Sequence, residues 1–169
     1  VAPSRGLGDV YKRQNLRMAK PDATKEEMEA VLQKVNLLGF LQTQNGLQTE
    51  LLEKAGNLSG GQCQRLVIAR ALLRSDSAVY IFDEAASNID VESEELIMNV
   101  IHELAKTKTV LLISHCLANV VQSDQIYFLK NGTICERGTH AELMEQNGAY
   151  RHLYDSQMVL ENYGKEGNA

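Results

Sequence analysis

The chain has 169 residues, of which 44% are hydrophobic and 23% charged, a composition typical of a single globular domain that can bury a core. Its formal charge of −5 argues against a nucleic-acid partner, because a general nucleic-acid binder needs a basic face. Three cysteines without C-x-x-C spacing argue against a disulfide framework or a zinc site, and no apolar run reaches the roughly 18 residues of a membrane span.

The first residues of the chain differ in character from the rest. Residues 9–14 resemble the translation of a transposon mosaic-end adaptor used in sequencing libraries, so residues 1–14 are interpreted as a non-native leader. Gly6, Gly8 and Lys12 match neither the phosphate loop G-x-x-x-x-G-K-[ST] nor the dinucleotide pattern G-x-G-x-x-G.

The sequence after Asn15 predicts an amphipathic helix followed by a loop. Thr24 and the acidic residues behind it precede apolar residues at helical spacing, and Gly39 is expected to end the helix. A polar loop with Asn45–Gly46 then leads through Leu51, Leu52 and Gly56 to Leu58. The apolar positions of the helix are Met28, Val31, Leu32, Val35 and Leu38.

A second helix is expected to begin after Ser59. Ser59 and Gln62 have the spacing of a capping box, which predicts a helix start. Gly60 and Gly61 stand in its first turn, where each glycine weakens a helix by roughly 1 kcal/mol relative to alanine. Bare amides at a helix N-terminus form an anion site of the kind that receives phosphate, which would compensate for this loss.

Two adjacent carboxylates follow the next predicted element. Residues 78–82 are apolar without alternation, which predicts a strand covered on both faces of a parallel sheet. Asp83 and Glu84 come at its carboxyl end, where open α/β sheets bind ligands. In an apolar setting such a pair needs a cation or a proton, so a magnesium ion at one and a water at the other would fit. The alternative is a strand that ends in two solvated acids.

A further helix and strand place two more candidate residues. Asp90 precedes a helix with acids crowded into its first turn, and the simplest role of Asp90 is an N-cap. Residues 109–114 predict a second buried strand, which His115 follows. Taken alone, a histidine at such a place is more often structural than catalytic. The predicted inner face of the helix is Leu96, Val100, Ile101 and Leu104.

The C-terminal part predicts a hairpin and two helices. Residues 125–129 and 133–136 flank Lys130-Asn131-Gly132, a favourable hairpin turn. Thr139 is expected to cap a helix that ends at Asn147–Gly148. A last helix begins near Tyr150, and residues 162–169 are expected to form a frayed tail.

Four of these segments, taken together, resemble a known family. LSGGQ at 58–62, VYIFDEA at 79–85, SNID at 87–90 and the histidine of LISHCLANV at 112–120 resemble, in order and spacing, the signature motif, Walker B, D-loop and H-loop of the ATP-binding-cassette (ABC) ATPases. The likeness runs from Asn15 to about Tyr154, and its C-terminal end is similar to exporter-type members.

This resemblance implies an α/β, P-loop NTPase-like ABC ATPase domain, truncated. The expected parts are a non-native leader, a helical subdomain that ends in the signature motif, the C-terminal part of a catalytic core with a mostly parallel sheet, a hairpin and helices, and a tail. No Walker A loop is found, so the chain is interpreted as the C-terminal portion of the domain and is expected to be inactive alone. The corresponding ranges are 1–14, 15–74, 75–158 and 159–169.

The resemblance also implies roles for single residues, with ATP and Mg²⁺ as the cofactors. Asp83 would orient Mg²⁺ through water, Glu84 would act as general base toward the attacking water, and His115 would contact the γ-phosphate. Ser59, Gly60, Gly61 and Gln62 would act in trans on ATP held by a second nucleotide-binding domain. Asp90 would lie at the dimer seam.

For the intact parent, the resemblance implies ATP hydrolysis that drives export by a transmembrane domain, at the cytoplasmic face of the plasma membrane. One alternative is a soluble ABC ATPase of chromosome maintenance or translation; another is an unrelated α/β binding module with a coincidental capping box. The chain departs from the family pattern at Ala86, at Asn88–Ile89 and at Cys116, and Cys116 puts the local support of His115 in question.

Overall fold

The computed structural model describes residues 10–44, 46–48, 50–51 and 58–166. The chain divides into two compact units, the first ending at Ile113 and the second beginning at Ser114. No helix in these described ranges is both long and apolar enough to cross a membrane.

The first unit mixes helices with short strands. Its helices are α1 (Lys12–Arg17), α2 (Lys25–Lys34), α3 (Leu38–Gln42), α4 (Gly60–Leu72) and α5 (Val91–Ala105). Its strands are β1 (Val10–Tyr11), β2 (Glu50–Leu51), β3 (Val79–Asp83) and β4 (Thr109–Ile113), with a 3-10 turn at Gly46–Gln48. β1 pairs antiparallel with β2, and β3 pairs parallel with β4.

Parts of the predicted leader and of the predicted loop fall outside the described residues. Residues 10–14 lie in β1 and α1, while residues 1–9 are not among those described. The same holds for Asn45, Leu52 and Gly56 of the loop. The leader and the domain ranges therefore stay predictions, and the compact units of the structure meet at a different place, after Ile113.

The end of α2 differs from the prediction. α2 ends at Lys34, and Gly39, which was expected to stop it, lies inside α3. The stop is Asn36, whose φ of 50° is left-handed, a conformation that asparagine tolerates better than most residues. Its amide donates to Gln33 O (3.0 Å) and the Leu37 amide donates to Leu32 O (2.9 Å), the two bonds of a Schellman motif.

One apolar core joins the helices of the first unit to its parallel strands. Leu16 of α1, Met28 of α2 and Leu41 of α3 are fully buried in it. Ile68 of α4 and Ile97 of α5 belong to the same cluster. Ile97, Met98 and the predicted Ile101 line the buried face of α5, whereas the predicted Leu96, Val100 and Leu104 are only half-buried.

The predictions that β3 is covered on both faces and that β4 is a buried strand are wrong. Burial along β3 alternates, because Tyr80 and Phe82 belong to the core while the intervening side chains face outward. In the described residues the helices cover one face of the two-stranded sheet, so its other face stays open. The exposed apolar residues on the two strands are Val79 (55%), Ile81 (65%), Leu111 (49%) and Ile113 (45%).

The second unit is a hairpin followed by two helices. Its strands are β5 (Ile126–Lys130) and β6 (Thr133–Gly138), and its helices are α6 (His140–Gln146) and α7 (Ala149–Glu166), after a 3-10 turn at Leu117–Val120. The predicted hairpin is confirmed: β5 and β6 pair antiparallel, and both Asn131 and Gly132 have positive φ, as a two-residue hairpin turn of the mirror type requires.

Local capping fixes the helices of the second unit. Thr139 and Glu142 form a capping box at the start of α6, and Asn147, with a left-handed φ of 52°, ends it, which confirms both predicted boundaries. The Glu136 carboxylate accepts hydrogen bonds from the amides of Ala149 (2.5 Å) and Tyr150 (3.1 Å) at the start of α7. α7 runs on to Glu166, further than the predicted tail allows; residues 167–169 are not described.

Candidate active site

The start of α4 carries the predicted signature segment, which we define as residues 58–62. The capping box is confirmed, because Ser59 Oγ accepts from the Gln62 amide (3.2 Å) and Gln62 Oε1 accepts from the Ser59 amide (3.0 Å). These bonds occupy two of the amides that a helix start leaves unpaired. The side chains of Ser59 and Gln62 thus fix the turn that contains Gly60 and Gly61.

The two glycines of this segment lie in different surroundings. Gly60 is exposed, and a Cβ added there would meet only the Ile89 methyl group, at 4.0 Å. Gly61 is buried, and an added Cβ would overlap the Ser93 hydroxyl and lie 2.6 Å from Ser93 Cβ. Packing therefore requires glycine at Gly61, whereas the space around Gly60 stays open to an incoming group. The sequence alone does not distinguish the two glycines.

Asp90 is the N-cap of α5, as predicted. Its Oδ1 accepts from the Ser93 amide (2.9 Å). Hydrogen bonds from the amide and then the hydroxyl of Ser93 hold the pKa of the Asp90 carboxyl below its ordinary value of 3.8, and the charge of Arg65 adds a smaller effect in the same direction. Ser93, which no sequence pattern marks, thus contacts both the Asp90 cap and Gly61.

The lowered pKa of Asp90 predicts how the stability of the chain depends on pH. A group whose pKa is lower in the folded state stabilises the protein fully above its unfolded value of 3.8, and this contribution is lost as the pH falls through the folded value. Asparagine caps helices about as well but does not titrate. We expect Asp90→Asn to flatten the fall of the Tm of the 169-residue chain below about pH 4, measured by circular dichroism.

The matched control for this experiment is Asp124→Asn, since Asp124 is exposed and caps no helix in the described part of the chain. Identical Tm curves against pH for Asp90→Asn and the unmodified chain would contradict the assigned role of the Asp90 carboxyl.

Asp83 and Glu84 lie at the carboxyl end of β3, as predicted, but both are exposed. The expected apolar setting is therefore not observed, and solvation satisfies part of the charge of the pair. Glu84 has a left-handed φ of 48°. Its amide donates to Ile113 O (2.9 Å), and its carbonyl accepts from the amide (3.1 Å) and the hydroxyl (2.9 Å) of Ser87. Backbone bonds on both sides hold this turn at the strand end.

Residues 87–90 differ in sequence from the common family pattern, and the structure shows how Asn88 and Ile89 fit there. Asn88 has a left-handed φ of 57°, which an asparagine accepts more readily than other side chains. Ile89 packs against the core and supplies the methyl group nearest to Gly60. The departure from the family pattern thus lies beside the open surface of the signature segment.

His115 lies in the second unit, where α7 supports its backbone. Gln157 Nε2 donates to His115 O (2.8 Å), and Gln157 Oε1 accepts from the Leu117 amide (2.9 Å). Ser114 Oγ also bonds both backbone groups of Cys116, the amide at 3.0 Å and the carbonyl at 3.1 Å. These bonds support the backbone around His115 without using the Cys116 side chain, and no local sequence signal pointed to Gln157.

The chain is similar in sequence to known proteins. A sequence profile described as ABC transporter matches residues 6–87. The chain is 50% identical over 157 residues to an uncharacterized ABC transporter ATP-binding protein of Haemophilus influenzae, covering 93% of this chain and 28% of that protein. It is 46% identical over 140 residues to an ATP-dependent lipid A-core flippase of Mannheimia succiniciproducens, covering 82% of this chain and 24% of that protein.

Further similarities point the same way. A putative multidrug export ATP-binding/permease protein of Staphylococcus aureus is 40% identical over 146 residues, covering 86% of this chain and 25% of that protein. The structure of a bacterial Atm1-family ABC exporter with ATP bound matches with a TM-score of 0.79 and 29% identity, over 87% of this chain and 26% of that one. This match confirms the predicted fold class. The chain spans about a quarter of the length of these relatives.

Proposed function

Because this chain belongs to the ABC transporter family, we propose that the protein from which it comes hydrolyses ATP and couples the hydrolysis to export across a membrane. The observation that carries the proposal is the pair of exposed carboxylates, Asp83 and Glu84, at the carboxyl end of parallel strand β3. The relatives quoted are named as exporters and flippases, which favours transport over chromosome maintenance or translation.

Family membership implies ATP binding, and Mg²⁺ is part of the proposal. The described residues contain no group of three or more potential ligands for a metal ion, so no all-protein metal cage is expected there. The single exposed carboxylate of Asp83 fits Mg²⁺, which is commonly held by one or two carboxylates, waters and the phosphates of the substrate. Bound there, Mg²⁺ would neutralise charge on the phosphate oxygens.

Glu84 is the general base of the proposed reaction. Its carboxylate accepts a proton from the water that attacks the γ-phosphorus, and the bond from phosphorus to the bridging oxygen of ADP breaks. The backbone bonds of Glu84 to Ile113 and Ser87 fix the point from which the side chain extends. His115 donates a hydrogen bond to a γ-phosphate oxygen and stabilises the charge on it.

The signature segment acts on a second nucleotide-binding domain. The amides near the open surface of Gly60 face ATP held by that partner, and Asp90 lies at the seam between the two domains. Each site is then divided between two domains, so that closure around ATP can move an attached transmembrane partner. We also propose that the chain lies at the cytoplasmic face of the membrane. The 169-residue chain has no phosphate-loop motif in its sequence, so we expect it to be inactive alone.

The proposal is tested on the full-length protein that contains this sequence. In proteoliposomes it should release phosphate from Mg-ATP at about 1 to 10³ per second, and His115→Ala should lower this rate by about 10²-fold, the range for loss of one charge-stabilising donor. The upstream coding sequence should encode membrane-spanning segments followed by a phosphate loop. Unchanged hydrolysis by His115→Ala would contradict the role of His115, and a gene without membrane-spanning segments would contradict export.

A further inference from the structure

The starts of α4 and α5 contact each other through two small residues, Gly61 and Ser93. Apart from two tyrosines, Ser93 is the one polar side chain that is buried among the described residues, with 4% of its surface exposed. A Cβ at Gly61 would overlap the Ser93 hydroxyl and would also lie 3.0 Å from Asp90 Oδ2. A side chain at Gly61 therefore does not fit at this crossing unless Ser93 or one of the two helices shifts.

Separate sets of hydrogen bonds hold each of the two helix starts that meet at this crossing. The Ser93 amide donates to Asp90 Oδ1 (2.9 Å), and the Glu94 amide donates to Asp90 O (2.9 Å), so Asp90 and the first turn of α5 form one unit. On the other side, Arg65 Nε donates to Gly61 O (3.3 Å) and Arg65 Nη1 to Asn36 O (3.1 Å). Arg65 thereby ties the start of α4 to the turn after α2.

These contacts bring together the signature segment and Asp90, which are distant in the sequence. Both are proposed to act on the same partner domain. The signature segment and Asp90 both lie on the proposed dimer face. In a close-packed interior a displacement of one helix passes to its neighbour, because there is no void to absorb it. A shift of α5 against α4 would therefore misplace Asp90 relative to the open surface of Gly60.

We propose that Ser93 is a positioning residue: its contact with Gly61 holds the signature segment and Asp90 in fixed register, so that both engage the partner domain together. The inference rests on the proposed function. A positioning role for this contact makes a prediction that ordinary helix packing does not. If the contact is disturbed, Asp90 and the signature segment are misplaced and the kcat for ATP hydrolysis should fall. The KM for ATP should change little, because the phosphate loop of the partner domain holds the nucleotide.

A double-mutant cycle in the full-length protein tests the inference. Gly61→Ala should lower the kcat for ATP by about 10²-fold, the cost of a misplacement of roughly 1 Å, with little change in KM. Ser93→Gly removes both Ser93 atoms that the new methyl group would meet. In the Ser93→Gly background the same Gly61→Ala change should cost less than about 10-fold in kcat. Equal costs in the two backgrounds would overturn the proposal.

The chain offers a matched control, Gly39→Ala. Gly39 is also helical, but a Cβ there meets nothing within 4 Å, so this variant should keep the kcat of the unmodified protein. If Gly39→Ala lowered kcat as much as Gly61→Ala does, the effect would come from replacing a helical glycine in general and the proposal would be wrong.

A readout that does not depend on hydrolysis separates this inference from the proposed function. Hydrogen exchange of the Ser93 and Glu94 amides, which are bonded to Asp90, should quicken about 10-fold or more in Gly61→Ala and return toward its original rate when Ser93→Gly is added. Failure of this restoration would overturn the positional coupling. Normal hydrolysis by a Glu84→Gln variant, with the exchange restored as expected, would overturn only the proposed reaction.

Discussion

Glu84→Gln in the full-length protein is expected to slow steady-state ATP hydrolysis by about 10² to 10⁴, the usual range for loss of a general base, while ATP binding is retained. Glutamine has the same shape as glutamate but accepts no proton from the attacking water. The Glu84 backbone bonds to Ile113 and Ser87 do not involve the side chain, so the turn should keep its geometry. Phosphate release and nucleotide photolabelling measure the two effects separately.

The matched control is Glu92→Gln. Glu92 is an exposed acid in the first turn of α5, and its replacement should leave hydrolysis unchanged. Near-normal turnover by Glu84→Gln would remove Glu84 as the general base and leave the pair at the end of β3 as two solvated acids.

Gly60→Asp is expected to reduce hydrolysis by the full-length protein by about 10²-fold or more while nucleotide photolabelling persists. The site around Gly60 is open, so a side chain there would extend toward the proposed phosphate of the partner. A carboxylate at that point repels the phosphate and removes charge-assisted hydrogen bonds, each worth roughly 1.5 to 3 kcal/mol. The fold should survive, because an acid in the first turn of a helix is favourable.

Gly60→Ala is the control for Gly60→Asp, since it adds a side chain without a charge and should cost much less. Loss of photolabelling in Gly60→Asp at micromolar ATP would contradict the trans role, because it would place the signature segment at the nucleotide site of its own domain.

The features that the sequence predicted correctly depend on residues close together in the chain. The capping boxes at Ser59 and Thr139 involve residues three positions apart, and the hairpin turn depends on Asn131 and Gly132 alone. Asp83 and Glu84 were placed at a strand end because the end of an apolar run is itself a local signal. The family resemblance then supplied candidate roles that neither spacing nor composition could give.

The features that the sequence did not predict depend on contacts between distant segments. Ser93 could not be recognised as the partner of Gly61, because burial of a serine leaves no periodic signal. Gln157 bonds the backbone around His115 from about 40 residues away. The continuous apolar pattern of β3 indicated that both faces can be buried, but not which face the described residues cover. The end of α2 was missed because Asn36 takes the left-handed conformation that Gly39 was expected to supply.

The left-handed backbone of Glu84 opposes thermal stability to the catalytic role that we propose for its side chain. A residue with a side chain costs roughly 1 to 2 kcal/mol in this conformation, and glycine or asparagine would relieve most of that cost. A library screened only for resistance to heat would therefore accumulate glycine or asparagine at position 84 and lose the proposed proton acceptor. If Glu84 is the general base that we propose, directed evolution of this protein toward heat resistance has to hold Glu84 fixed and gain its stability elsewhere.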